Sequence, residues 1–127
     1  MWHDGPVTAE EVQDWLDAYV AAWKSYDEAQ IVALFTEDCT YRYDPFGDPL
    51  VGGAAIAADW LKDRDEPGSW EAAYSVFAVD GPRAVAVGET FYLHEDRRYA
   101  NAYLLEFDRD GRCRSFTEWY FKRRPTR

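Results

Sequence analysis

The hydrophobic period of this chain changes once, and that change limits the folds open to it. Up to about residue 62, apolar residues recur every three to four positions. From Ser69 onward they fall in long strand-like runs. In the first part, Thr8 with Glu11 forms a capping box, and Val7 and Val12 are placed as a hydrophobic staple. Val12, Trp15, Leu16, Tyr19, Val20 and Trp23 then share one face of a helix predicted over about residues 9 to 24. Asp27, with Gln30 in the capping position, restarts a helix whose buried edge is Ile31, Leu34 and Phe35 and which ends in "TEDC". After Gly52-Gly53, Ile56, Ala57, Trp60 and Leu61 line a third helix that stops before "RDEPG".

The second part contains "SWEAAYSVFAVD", "RAVAVGETFYLHE", "RRYANAYLLEFDRD" and "RCRSFTEWYFKR", separated by the turn signals "DGP", "HED" and "DRDG". Connections this short imply sequentially paired, antiparallel strands. The expected fold class is therefore α+β, with three N-terminal helices packed on a strongly curved, mainly antiparallel sheet. Both strand faces are apolar. One set is Phe77, Val85, Val87, Phe91, Tyr103, Leu105, Phe107, Phe116 and Tyr120; the other includes Trp70, Tyr74, Tyr92, Leu104, Trp119 and Phe121. Helices can cover one face. A second copy is the expected cover for the other, giving a homodimer through the outer sheet face.

A chain of 127 residues fits a single domain over 1–127, with tails at 1–7 and 123–127. Its 47% hydrophobic content excludes disorder. A net charge of −10 repels phosphate backbones, so no nucleic-acid partner is expected. The basic "KRRPTR" at Lys122–Arg127 reads as a solvated tail. Cys39 and Cys113 form no CxxC and read as a reduced, buried pair. The two histidines, His3 and His94, belong to no cluster with ligand spacing, so no metal is expected. No phosphate loop, nucleophile elbow or dinucleotide fingerprint occurs, so no cofactor is expected either. With no apolar run of about 18 residues and no leader pattern, the chain reads as cytoplasmic and without a membrane partner.

The pieces "YVAAWKSYDEAQIVALFTEDCTYRYDPFG", "VGGAAIAADWL" and "LLEFDRDGRCRSFTEWYFKR", in this order and spacing, resemble the nuclear transport factor 2-like superfamily, particularly its SnoaL-like and ketosteroid-isomerase-like members. The resemblance implies a cone enclosing a deep pocket between helices and sheet, and often a dimer through the sheet. The superfamily includes isomerases, polyketide cyclases, dehydratases, epoxide hydrolases and proteins without catalysis, so fold alone does not assign function.

The resemblance also suggests site residues. "DPFGDPLVGGAAI" is similar to the segment that carries the general base of ketosteroid-isomerase-like members, an Asp followed by Pro, which would be Asp44. Counting without gaps puts Tyr43 at that position instead, and one inserted residue decides between them. Asp44 equally fits an Asp-Pro turn. Tyr19 matches the oxyanion tyrosine of those members, and Tyr103 stands where they carry a protonated Asp. Glu118 shares the strand face of Phe116 and Tyr120, where related branches carry an acid. Glu89 has the parity of Val85, Val87 and Phe91 and is expected to point inward, at the place of an Arg in the epoxide hydrolase branch. Arg42, Arg98 and Arg114 are candidate counter-ions. Asn101 is a candidate to orient a ligand, while His94 reads as turn surface.

Trp15, Trp23 and Trp60 fall on helical apolar faces and imply a wall suited to flat molecules. Phe35, Tyr43, Phe46, Phe77, Phe91, Phe116 and Tyr120 complete the expected lining. The expected ligand is a small apolar or polycyclic molecule. The expected chemistry is cofactor-free proton transfer (isomerisation, cyclisation or dehydration), with Asp44 or Glu118 as base and Tyr19 and Tyr103 as donors. The other reading is a non-catalytic ligand-binding or dimerisation module of the same fold.

Overall fold

A computed structural model describes residues 6–124. Helix α1 spans Ala9–Ser25, α2 Glu28–Ala33 and α3 Gly53–Lys62; strands run β1 Phe35–Arg42, β2 Leu50–Val51, β3 Trp70–Asp80, β4 Arg83–Tyr92, β5 Arg97–Phe107 and β6 Cys113–Lys122. His3 and the last three residues of the basic cluster lie outside the described residues. Val7 N–H bonds Gly81 C=O and Arg123 N–H bonds Arg98 C=O, so the inner ends of both expected tails are tied to the fold.

α1 starts as its sequence dictates. The Thr8 hydroxyl accepts from Glu11 N–H, and the Glu11 carboxylate accepts from Thr8 N–H. It buries Val12, Trp15, Leu16, Tyr19 and Ala22, and its end is turned by Tyr26 in the left-handed region. α2 is shorter than the helix predicted there. Leu34 caps it, and Phe35 already belongs to β1, so "TEDC" lies within a strand rather than at a helix end. Pairing with β6 decides this: Phe35 lies opposite Cys113, and Tyr41 opposite Phe116. A tertiary ladder outweighs the local helical signal over a stretch this short.

The strand order is β2-β1-β6-β5-β4-β3. β3 to β6 form the expected antiparallel succession, while β1 joins β6 in parallel and makes the sheet mixed. The sheet curves around α1 without closing. Trp15 of α1 meets Phe35, Phe107 and Phe116 edge-on or tilted, and Gln13 reaches the Tyr74 carbonyl of β3 at 3.0 Å. α3 is capped by Gly52, where a φ of +91° and a Cβ that would lie 2.5 Å from the Glu37 carbonyl oxygen admit only glycine.

The faces of the sheet differ from the expected grouping. Trp70, Tyr74, Ala84, Ala86, Thr90, Asn101, Tyr103, Leu105, Phe107 and Phe116 are buried on the concave side. Phe77 is the extra residue where the β3–β4 register shifts, and it is 73% exposed. Val85, Val87, Glu89 and Phe91 share the outer face with Leu104, Trp119 and Phe121. The reason is space. The inward residues of β4 ahead of Tyr92 are small because rings from β3 and β5 fill the interior; a Cβ on Gly88 would sit 2.0 Å from the Ala73 carbonyl oxygen and 2.6 Å from the Tyr74 ring. The larger apolar side chains of β4 therefore lie outside. Cys39 and Cys113 are both buried free thiols on adjacent strands; burial first, and a hydrogen bond with Cys39, hold the Cys113 thiol well above its ordinary pKa. Among the described residues no helix is long and apolar enough to cross a membrane.

Candidate functional site

A cavity of about 510 Å³ opens between α1, the end of α3 and the concave face of the sheet. Its lining has a strict aromatic composition: all nine tyrosines of the chain line it and none of the seven phenylalanines does. Strand alternation produces this. Thr90 and Tyr92 on β4, Tyr99, Asn101 and Tyr103 on β5, and Glu118 and Tyr120 on β6 lie two residues apart and so share a face. Tyr41 and Tyr43 do the same at the end of β1. Tyr19 and Trp23 enter from α1, Tyr26 from its cap, and Trp60 from α3.

A directed chain of hydrogen bonds crosses the floor. Asn101 Nδ2 donates to Glu118 Oε2 at 2.6 Å, and Thr90 Oγ1 donates to Asn101 Oδ1 at 2.9 Å. The hydroxyl proton of Thr90 is thereby used, so the Tyr74 hydroxyl, 2.5 Å away, is the donor to Thr90. Tyr103 hydrogen-bonds Tyr74 in turn. Carboxylate, amide, hydroxyl and phenols thus fix one another's orientation. Beside this chain the Tyr19 and Tyr41 hydroxyls lie 3.3 Å apart. Their bond uses one of two protons, which leaves the other for a group in the cavity.

Glu118 is the perturbed acid of the site. Burial pushes its pKa up to about 7, and the Asn101 hydrogen bond offsets part of that rise. The phenols of Tyr19, Tyr41 and Tyr103 are held well above their ordinary value, chiefly by burial and further by neighbouring groups, Glu118 among them. Tyr74 is raised to about 12, first by burial. These phenols are neutral donors near neutral pH.

At the rim, Tyr43 donates to Asp59 Oδ2 at 2.5 Å. Asp65 accepts from Trp23 Nε1 at 3.0 Å and from the Tyr26 hydroxyl at 3.4 Å. Arg97 donates to the Tyr99 hydroxyl at 2.7 Å and is bound by Glu95.

The structure brings Tyr19, Trp23, Tyr43, Trp60, Asn101, Tyr103, Glu118 and Tyr120 to the cavity. Trp15, Phe35 and Phe116 lie in the core beneath it instead, with Trp15 Nε1 donating to the Leu34 carbonyl and Phe116 stacked on Tyr41 at 4.3 Å. Asp44 does not line the cavity. Its carboxylate accepts from Phe46 N–H at 2.8 Å in a local Asx turn, which leaves Tyr43 as the inward residue. Phe46 is 98% exposed beside that turn, so it lines nothing. Glu89, Phe91 and Phe77 sit on the outer face: Glu89 pairs with Arg98 at 3.7 Å, and the Arg98 guanidinium lies over the Phe91 ring. Arg114 meets Glu106, and none of Arg42, Arg98 and Arg114 lines the cavity.

Sequence reasoning did not single out Tyr26, Tyr41, Asp59, Asp63, Asp65, Tyr74, Thr90, Tyr92, Arg97 and Tyr99 as lining residues. Part of the signal was present, since tyrosines spaced two apart on a strand point the same way. The Asp residues after α3 carried none. Among the described residues no three His, Cys, Asp or Glu side chains come together to hold a metal ion.

The family model for the SnoaL-like domain matches residues 16–116. No curated protein matches the chain. Several solved structures share its fold. An NTF-2 like protein of unknown function from Burkholderia xenovorans superposes with a TM-score of 0.71 at 17% identity, over 93% of this chain and 88% of that one. A candidate ketosteroid isomerase from Kribbella flavida gives 0.67 at 20%, over 94% and 84%. An LEH-like epoxide hydrolase from M. tuberculosis gives 0.66 at 16%, over 89% and 84%. Identities this low carry the fold and not the activity.

Proposed function

The chain belongs to the SnoaL-like domain family, and from that premise we propose that its cavity binds a small, flat molecule of largely apolar body and moves a proton on it without a cofactor. The observation that carries this reading is Glu118: a half-buried carboxyl, oriented by Asn101, with a pKa of about 7 at the floor of an aromatic cavity. An acid of that strength both takes and returns a proton near neutral pH. Glu118 is the base. The proton left over from the Tyr19–Tyr41 pair stabilises negative charge developing on a ligand oxygen. Tyr103 holds the hydrogen-bonded floor in place through Tyr74. The reaction class is an isomerisation, cyclisation or dehydration, in keeping with the spread of activities among similar folds.

Two further parts of the reading concern setting. The exposed outer-face residues Phe77, Leu104, Trp119 and Phe121 support a homodimer through that face. Two unbridged thiols, Cys39 and Cys113, support a reducing, cytoplasmic compartment.

The test begins with native mass spectrometry of the purified protein to identify a bound small molecule. Turnover of that molecule is then followed in Glu118→Gln, which is expected to fall at least about 100-fold. An unchanged rate overturns the assignment of Glu118, and retained binding with no turnover in the parent favours a ligand-binding module.

A further inference from the structure

Resting on the reading that the cavity is a ligand site, we propose that the ligand carries a positively charged nitrogen, a protonated amine or quaternary ammonium on an aromatic or alicyclic body, seated between Glu118 and the surrounding tyrosine rings.

The charge balance of the lining points this way. Four carboxyl groups, Asp59, Asp63, Asp65 and Glu118, stand against a single guanidinium, Arg97. Arg97 is already engaged at the rim by Glu95 and Tyr99. At the floor, Glu118 is oriented by an amide and not by a guanidinium. Its charge is felt by Tyr19, Tyr41, Tyr43, Tyr74, Tyr92 and Tyr103, each of whose phenols it makes harder to ionise. The same field that opposes a phenolate opposes an anionic ligand and attracts a cationic one.

The rings supply the second half of the argument. A cation within about 6 Å of an aromatic centroid is attracted by the ring's quadrupole, and such rings form the usual cage for ammonium groups. Rim rings of this cavity already hold cations in that way: Arg97 lies 4.4 Å from the Tyr92 centroid, and Arg64 lies 5.6 Å from that of Tyr26. Tyr92, Tyr99 and Tyr120, which are part-buried or exposed, line the same cavity as the acid Glu118. A metal ion would need several oxygen or nitrogen ligands converging on a point, and among the described residues no such group exists. An organic cation needs only faces and one or two carboxylates. The choice of tyrosine over phenylalanine at every ring-bearing strand position of the lining fits this too, because phenol oxygens tolerate the water and charge that accompany an ammonium group.

The experiment titrates the full chain with three probes of one shape: phenyltrimethylammonium, its uncharged carbon isostere tert-butylbenzene, and the anion benzenesulfonate. Binding is read by the fluorescence of the lining residues Trp23 and Trp60 and by calorimetry. The cation is expected to bind at least about tenfold more tightly than the isostere, and the sulfonate more weakly than both. Glu118→Gln, checked for an intact fold by its melting curve, should reduce the preference for the cation over the isostere, and Asp65→Asn should reduce it less. Equal binding of cation and isostere by the unaltered chain overturns the charge assignment and leaves the cavity reading standing. Binding of none of the three overturns both.

Discussion

The two faces of the β3–β6 sheet are both aromatic, yet they are built from different rings. The concave face presents Tyr74, Tyr92, Tyr99, Tyr103 and Tyr120 around Glu118. The convex face presents Phe77, Phe91, Trp119 and Phe121, interrupted by the Glu89–Arg98 pair and by Glu106 with Arg83 and Arg114. A sheet with one solvated face would ordinarily place its hydroxylated rings outward and its bare rings inward. Here the hydroxyls face the cavity and the bare rings face away from it. The difference teaches that burial and polarity were assigned separately. Phe116, Phe107 and Phe35 form a dry layer under the cavity, and the tyrosines line the cavity above that layer.

Removing a ring from the dry layer should give the largest effect. Phe116 is fully buried and stacks on Tyr41, so Phe116→Ala is expected to cost about 3–5 kcal/mol in urea unfolding. The double change Trp119→Ser with Phe121→Ser on the convex face should alter the stability of the isolated protomer by no more than about 1 kcal/mol. Sedimentation should show it shifting any dimer toward monomer. A loss equal to that of Phe116→Ala would mean that the convex rings belong to the protomer's own core, and the contrast drawn here would fail.

The next effect is a pH dependence. The carboxyl of Glu118 titrates near 7 in the folded chain against an ordinary 4.5. A raised carboxyl pKa means that the folded state binds the proton more tightly than the unfolded state does. Stability from this group is therefore complete below about pH 4.5 and declines as pH rises toward 7, by about 3 kcal/mol in total. Glu118→Gln should flatten that decline, so that the variant gains relative to the parent at pH 8. A parallel pair of stability–pH curves would show that Glu118 is solvated and not buried in the way described.

The smallest expected effect separates ring from hydroxyl. Tyr41→Phe keeps the stack on Phe116 and loses only the bond with Tyr19, at a cost of about 1 kcal/mol by thermal unfolding. Any ligand that accepts from this pair should nevertheless be held more weakly. A stability loss approaching that of Phe116→Ala would place the Tyr41 hydroxyl among the structural contacts of the dry layer.

Much of this was legible in the sequence. α1 was readable to within a residue because its cap, staple and period all agree. The α2–β1 boundary was not, because Leu34 and Phe35 suit a helical edge as well as a strand start, and the deciding partner, β6, lies far along the chain. Face assignment failed on β4 for a related reason. Its inward residues ahead of Tyr92, namely Ala84, Ala86, Gly88 and Thr90, are chosen for smallness, which hydrophobicity does not register. That error carried Glu89 and Phe91 to the wrong side. Alternation does place Glu118 on the face of Phe116 and Tyr120, because the inward residues of β6 are large. The choice between Tyr43 and Asp44 rested on a single residue of register, and the Asx turn that decides it is a local hydrogen bond with no periodic signature. Asp59, Asp63 and Asp65 carried no pattern at all, since a helix end and the loop after it position them.

The parallel pairing of β1 with β6 has a consequence for how the molecule is made. Tyr41, from the first third of the chain, has as its stacking partner Phe116, on β6, the last strand of this sheet in chain order. Closing that contact requires a loop of more than half the chain, and such contacts form late. On the ribosome, α1 and the β3–β5 succession can assemble early, but the wall bearing Glu118 and Tyr120 has to wait for the final strand. Until then the tyrosine-rich interior stays open, and surface left exposed in that way is where a partly made domain is most prone to associate.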